Sequence, residues 1–236
     1  MKNILIIIPT LNEFKNIGII YNKINKRHKN INILFVDDNS YDGSKQEIID
    51  LRKNNKRVHY IFRHKKLGIG SAHKVAIKWA KKKKYQYVFT MDCDGSHDPK
   101  YIKPMFKFIK NNNIVITNRF LFKNSLIGWG YKRVFITKMR YYLILFLLGS
   151  KLDGSGAFRL YDLKTVNLKD IMMSKDNNYN FFWESAFLLE RKYKIYQLPI
   201  KLRNRSLGSS KMQFKDIVGG LFYLFKIFIN FKLNKI

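Results

Sequence analysis

Residues 87–99 read YVFTMDCDGSHDP. A short run of aromatic and β-branched residues ends in two carboxylates, Asp92 and Asp94, one residue apart, followed by Gly95 and a polar turn. The run has the composition of a buried strand. Pro99 suits the first turn of a helix, predicted over 99–110. The same succession recurs toward the N-terminus. ILIII at 4–8 predicts a first strand, and Ile17, Ile20 and Ile24 give the helix predicted over 12–26 its apolar spacing. Further strands are predicted at 31–36, 58–62 and 114–117, with helices at 44–54 and 71–83.

Strands separated by single helices imply βαβ units. The fold class is therefore α/β: a Rossmann-like, mainly parallel sheet flanked by helices. In such sheets ligands sit beyond the carboxyl ends of the strands. Asp37 and Asp38, after the second strand, and Asp92 and Asp94, after the fourth, fall on that rim. The second half is less regular. A helix over 129–148 carries Lys132, Arg133, Lys138 and Arg140 ahead of an apolar stretch. DGSGAFRLYD at 153–162 reads as a loop entering a strand. A helix follows at 181–192, a strand at 198–202, a loop with two basic residues at 204–211 and an aromatic-rich helix at 216–232. With no internal repeat and no Pro/Gly-rich linker, the two halves form one continuous unit.

The chain of 236 residues carries 46 Lys and Arg against 16 Asp and Glu, a formal net charge of +30. That excess implies an anionic partner: nucleic acid, acidic lipid or a phosphorylated substrate. Cys93 is the single cysteine, so no disulfide forms within the chain, which fits a reducing compartment. The N-terminal apolar run is too short for a signal-peptide core. No uninterrupted apolar stretch reaches the length of a membrane span; 141–148 is short and 217–231 is broken by Lys226.

Two carboxylates at a strand end suit Mg²⁺ or Mn²⁺, hard ions that take one or two carboxylates and complete their shell with substrate phosphates. Asp94 is the candidate direct ligand, with Asp92 contacting the ion or a ribose. The same residues also suit a plain Asx-turn. Asp38 can accept from a base or ribose while Asp37 braces the loop; either can equally cap the next helix. Arg205 and Lys211, in a loop with Gly208 and Ser210, can fold over a phosphate, which Arg grips bidentately and Lys as a point charge.

IIIPTLNEFKNI, VDDNSYDGS, KLGIGSAHKVAIKWA, MDCDGSHDPKYI, TNRF, DGSGAFRLY and RSLGSSK occur in this order over about residues 4–212. Together they resemble glycosyltransferase family 2, of GT-A fold, and within it the dolichol-phosphate (polyprenyl-phosphate) mannose synthases. The resemblance implies transfer of mannose from GDP-mannose to dolichyl or another polyprenyl phosphate with Mg²⁺ or Mn²⁺; a polyprenyl-phosphate glucosyltransferase or another member using a UDP-sugar is the alternative. It implies that Pro9, Leu11, Glu13, Val36 and Asp38 hold the nucleotide, Leu11 standing where Tyr is usual. Asp92, Cys93 and Asp94 then lie along the diphosphate, with Asp94, Asp92 and Ser96 as metal ligands. Arg119, Arg205 and Lys211 match phosphate-holding residues, and Arg133 an acceptor-phosphate arginine. Asp153, Ser155 and Arg159 match an acceptor-side loop and Glu184 a helix carboxylate, with Phe182 in place of a frequent Gln. The implied division is 1–212 as the transferase domain (1–118 for the nucleotide sugar, 119–212 for the acceptor) and 213–236 as a C-terminal amphipathic interfacial helix.

A sugar hydroxyl acceptor needs a base, whereas a phosphate monoester, with a second pKa of roughly 6, is largely ionised already. Catalysis then reduces to positioning and charge stabilisation, with Asp94, Asp92, Arg119 and Arg133 as the principal residues and no essential histidine. His97 and His73 read as structural, and Asp153 remains a candidate catalytic carboxylate. The stretches 141–148 and 217–231, flanked by Lys and Arg, can lie in a membrane interface, pack as ordinary core, or dock small membrane-spanning partner subunits. The expected location is the cytoplasmic face of a membrane, endoplasmic reticulum in a eukaryote or plasma membrane in a prokaryote. Nucleic acid is not the expected partner, because no recognition module accompanies the charge and the acidic rim would repel a phosphate backbone.

Overall fold

The computed structural model describes residues 3–205, 207–208 and 213–233. The first half alternates strand and helix: β1 (Ile4–Thr10), α1 (Phe14–Arg27), β2 (Asn32–Asp37), α2 (Ser44–Asn54), β3 (Val58–Phe62), α3 (Ile69–Lys82), β4 (Tyr87–Thr90), α4 (Ile102–Phe108) and β5 (Ile114–Asn118). The second half contains β6 (Leu126–Ile127), α5 (Tyr131–Leu148), β7 (Arg159–Asp162), α6 (Leu168–Met172), α7 (Asn180–Glu190), β8 (Ile195–Pro199), β9 (Leu202–Arg203) and α8 (Phe214–Lys232).

Seven strands form one sheet in the order β3-β2-β1-β4-β7-β5-β8, parallel throughout except for β7, which runs against both β4 and β5. Both faces are buried, so β1 reads as a continuous aliphatic run rather than an alternation. Ile4, Ile6 and Ile8 pack toward α1, α2 and α4; Leu5 and Ile7 pack toward α3, α6 and α7. Ala72, Ala76 and Ala80, four residues apart, let α3 lie close on the sheet. A third apolar cluster joins Ile144 and Leu148 of α5, Trp183 and Phe187 of α7, and Leu224 and Ile227 of α8.

The structure departs from expectation in the second half. The last strand of the sheet is Ile195–Pro199, not 198–202. Pro199 lacks a ladder donor and ends the pairing with β5. Leu202 then joins a separate two-stranded ribbon, β6–β9, which the sequence did not announce. The helix expected over 99–110 divides into 3₁₀ turns at Pro99–Tyr101 and Ile109–Asn111 around α4. The helix expected from 129 begins at Tyr131, after an extended Gly130. Among the described residues no helix is long and apolar enough to cross a membrane.

Candidate active site

Strand register assembles one wall of a cavity of about 910 Å³. Pro9 pairs with Val36 and Thr10 with Asp37, while Ile7 pairs with Thr90. The residues following β1, β2 and β4 therefore emerge side by side at the sheet's carboxyl edge. Pro9, Leu11, Glu13 and Asp38 line the cavity beside Asp92, Cys93 and Asp94. Asp37 accepts from Thr10 Oγ1, Ser40 N and Ser40 Oγ, which braces the turn after β2. Asp38 accepts from the Leu67 and Gly68 amides, each at 2.9 Å, and pairs with Arg63 at 3.2 Å. It thereby fixes the entry to α3. Gly68, with φ of 92°, lies so close to Asn177 and Asn178 that a Cβ there would overlap both.

After β4 the chain turns sharply through Gly95, at φ 77°, a left-handed conformation suited to glycine. Asp94 Oδ1 accepts from Ser96 N at 3.0 Å, and Asp94 Oδ2 lies 3.3 Å from Arg205. Burial works to raise the Asp94 carboxyl, but the Ser96 hydrogen bonds and nearby charges, Arg205 among them, outweigh it and hold the group below the usual carboxylate range. Asp92 goes the opposite way: burial, then the adjacent Asp94 charge, push its carboxyl well up. Its side chain faces the cavity, 34% exposed, and its carboxylate accepts no hydrogen bond from a described residue. Its backbone N–H donates instead to His97 Nδ1 at 2.9 Å. That acceptor role needs a neutral ring, and burial keeps the His97 pKa well below its ordinary value. Burial also pushes the Cys93 thiol up.

The opposite wall is cationic. Arg119 donates from Nε and Nη2 to the two oxygens of Asp153, at 2.7 and 3.0 Å, and from its amide to Oδ2 at 3.1 Å. Burial pushes the Asp153 carboxyl up, but Arg119 more than offsets this and keeps it ionised. Arg133 stacks on Trp129, with 3.6 Å from guanidinium carbon to ring centroid, and donates to Asn204. The β6–β9 ribbon carries Asn204 and Arg205 over the cavity. α5 supplies Arg140 and α8 supplies Lys215 and Asp216.

The model of Glycosyl transferase family 2 matches residues 5–167, more than half of the chain. The chain belongs to glycosyl transferase family 2. This transferase is 27% identical over 222 residues to the polyprenol monophosphomannose synthase of Mycolicibacterium smegmatis, covering 92% of the chain and 84% of that protein. It is 28% identical over 211 residues to the undecaprenyl-phosphate mannosyltransferase of Micrococcus luteus, covering 89% and 87%. Its fold matches glucosyl-3-phosphoglycerate synthase from Mycobacterium tuberculosis, solved with Mn²⁺, UDP and glucosyl-3-phosphoglycerate. That match has a TM-score of 0.64 at 15% identity and covers 94% of this chain and 80% of the other. The sheet and its flanking helices are those of the GT-A fold.

Most of the residues expected in the family 2 site meet in the cavity: Pro9, Leu11, Glu13, Asp38, Asp92, Cys93, Asp94, Ser96, Arg119, Arg133, Asp153, Ser155 and Arg205 all line it. Lys211 lies outside the described residues. Three expected residues stand apart from the cavity lining. Val36 is fully buried in the apolar cluster around α3 and is not among the residues that line the cavity. Arg159 is a brace, donating to Gly154 O, Gly156 O, Phe182 O and Ser185 Oγ. Glu184 is a buried clamp that accepts from Ser174 Oγ, Lys175 N, Asp176 N and Tyr223 OH, tying the 174–176 segment to α8. Asp153, considered as a catalytic carboxylate, has both oxygens engaged by Arg119. The cavity also uses Lys66, Arg140, Asn178, Tyr179 and Asp216, which the motifs did not single out. Arg140 was findable: it lies seven residues after Arg133, on the same helical face.

A divalent cation fits this donor set. Among the described residues none donates a hydrogen bond to the Asp92 carboxylate, which stands beside a second carboxylate that repels it, and a cation held by the two would relieve that repulsion. The described residues contain no cluster of three or more His, Cys, Asp or Glu placed to hold an ion. The remaining ligands must come from phosphate oxygens or water, as is usual for Mg²⁺.

Proposed function

We propose that this enzyme transfers mannose from GDP-mannose to a polyprenyl phosphate at a membrane surface, with inversion at the sugar carbon. The observation that carries the reading is the division of one cavity into a carboxylate floor and a guanidinium wall, flanked by two helices with exposed aromatic stripes. The names of the two relatives support the same substrate class.

Pro9, Leu11, Glu13 and Asp38 hold the nucleoside, and Asp92 and Asp94 face the diphosphate. Asp92 and Asp94, with Ser96 nearby, would hold a Mg²⁺ or Mn²⁺ ion, which would supply Lewis-acid stabilisation of the departing diphosphate. Arg205 engages the donor phosphates, and Arg119 and Arg133 hold the acceptor phosphate. An acceptor oxygen forms the new bond to the sugar C1 as the bond from C1 to the GDP oxygen breaks. No proton need be removed first, because the acceptor is largely dianionic at neutral pH, its second pKa being about 6. The protein contributes orientation and preorganised charge. Asp153 acts by fixing the Arg119 fork.

The acceptor's chain needs an apolar route, and Ile136, Met139 and Ile144 of α5 face Ile217, Leu221 and Leu224 of α8 along the cavity. The outer faces of these helices carry Tyr131, Phe135, Tyr142 and Phe146 on α5, and Phe214, Phe222, Phe225 and Ile229 on α8. All are exposed, up to 95% for Tyr131. Aromatic stripes at helical spacing in a strongly cationic chain suit a helix pair lying in an anionic headgroup layer. A donor-by-acceptor panel tests the reading: GDP-mannose or UDP-glucose, with polyprenyl phosphate, Mg²⁺ or Mn²⁺ and vesicles. Mannolipid from GDP-mannose is expected. Product from UDP-glucose alone would transfer the assignment to a glucosyltransferase, and absence of any glycolipid would end it.

A further inference from the structure

We propose that Arg140 is an additional phosphate-binding residue, holding the acceptor's phosphate monoester together with Arg119. The inference rests on the polyprenyl-phosphate reading above. Each other arginine on the cavity wall already has a partner: Arg119 has Asp153 and Ser155, Arg133 has Asn204 and the Trp129 ring, and Arg205 has Asp94. Arg140 is half-buried on the same wall, yet no hydrogen bond or salt bridge joins it to any described residue.

Its placement is fixed by packing. Phe120 and Tyr141 stack with ring centroids 4.3 Å apart, which brings the residue after Arg119 against the residue after Arg140. Along α5, seven residues from Arg133 correspond to about 10 Å of rise on one face, with the buried Thr137 between. Arg119 and Arg140 thus share a single carboxylate, Asp153, whose oxygens are already bonded to Arg119. The deep part of the wall keeps one uncompensated positive charge. Burial, followed by Arg119's repulsion, lowers the Arg140 pKa to about 10, so the guanidinium stays charged at neutral pH despite its surroundings. An unpaired cation in such a position destabilises the empty site and favours an anionic ligand. A phosphate dianion presents three oxygens and can accept from two guanidinium groups at once. The apolar residues Ile136, Met139 and Ile144 adjoin Arg140, which favours a phosphate carrying a hydrocarbon chain over the donor's diphosphate beside Asp92 and Asp94.

The test uses the full chain and the variants Arg140→Gln and Arg140→Lys, with GDP-mannose and a short water-soluble prenyl phosphate. Arg140→Gln should raise the acceptor KM by roughly 10- to 100-fold, the scale of a lost charged hydrogen bond, and leave the donor KM within about twofold. Arg140→Lys should recover part of the loss. Without ligand, Arg140→Gln should melt at or above the wild-type temperature, because it removes an uncompensated charge. An unchanged acceptor KM overturns the proposal, as does an equal rise in both KM values with a lowered melting temperature, which marks a structural role. Should wild-type protein make no glycolipid from any donor, the reaction assignment fails, and thermal shift decides the Arg140 question separately. Prenyl phosphate must then stabilise wild type and not Arg140→Gln; equal stabilisation, or none, overturns the inference.

Discussion

Replacing Asp153 by Asn separates a carboxylate that does chemistry from one that holds an arginine. Asp153 is 2% exposed, its partner Arg119 is 6% exposed, and three Arg119 donors reach its carboxylate at 2.7 to 3.1 Å. The amide keeps the shape but leaves a buried guanidinium without its counter-charge, and breaking one side of a buried pair costs about 3–5 kcal/mol. For a chain of this size, each kcal/mol shifts the melting temperature by about 2–4 °C, so a fall of roughly 6–20 °C is expected. Calorimetry on purified Asp153→Asn measures it. The double variant Asp153→Asn/Arg119→Met removes both charges and should regain most of the lost stability, because two apolar or neutral groups leave no unpaired ion. It should not regain activity, since Arg119 is then missing from the acceptor side. A single variant that melts like wild type but loses turnover by several orders of magnitude would refute this reasoning and return Asp153 to the role of catalytic carboxylate.

Asp94→Ala should abolish transfer while lowering the melting temperature by no more than about 5 °C, because its structural contacts are the Ser96 turn and an ion pair with Arg205 at the cavity; turnover near wild type would remove the metal assignment. Arg205→Ala should raise the donor KM by about 10–100-fold, since it removes a charged contact at the diphosphate end; unchanged donor kinetics would contradict its placement. His73→Leu should change how stability depends on pH. His73 is 1% exposed, neither ring nitrogen has a hydrogen-bond partner among the described residues, and burial, aided by the Arg159 charge, depresses its pKa to about 3. A histidine depressed in the fold stays neutral there while the unfolded chain takes up a proton below about pH 6.5. Its contribution is therefore present above that pH and lost as pH falls toward 3. Between pH 7 and 5 this amounts to about 2 kcal/mol. Denaturant titrations should show Arg- and Asp-intact His73→Leu gaining that much relative to wild type over the interval; parallel pH profiles would refute it.

The first half of the fold was legible because each element there has one job. β1, β2 and β4 are buried on both faces and read as apolar runs, and α1 and α3 show their packing faces at three- and four-residue spacing. The second half resisted because its elements answer to partners far away in the chain. β7 is an ordinary four-residue run until it is inserted antiparallel between β4 and β5. β6 and β9 are two residues each and exist only through pairing across some 75 positions. Pro199 was the local signal available in that region, yet the strand expected at 198–202 runs through it while the sheet ends there.

The site divides along a related line. Asp92, Asp94 and Asp38 stand at strand ends, so locating the strands locates them. What the sequence could not supply is the state of each charge, which depends on what folds against it. Asp38 and Arg159 look equally functional as letters, yet one places a carboxylate on the cavity wall while organising a loop and the other is consumed by five carbonyl and hydroxyl oxygens. Arg119 and Arg140 look equally basic, and only the Phe120–Tyr141 stack brings them to share one carboxylate. Function in this cavity depends on which charges the fold has left uncompensated. Asp92 on the floor and Arg140 on the wall are two such charges, which a cation and a phosphate would complete.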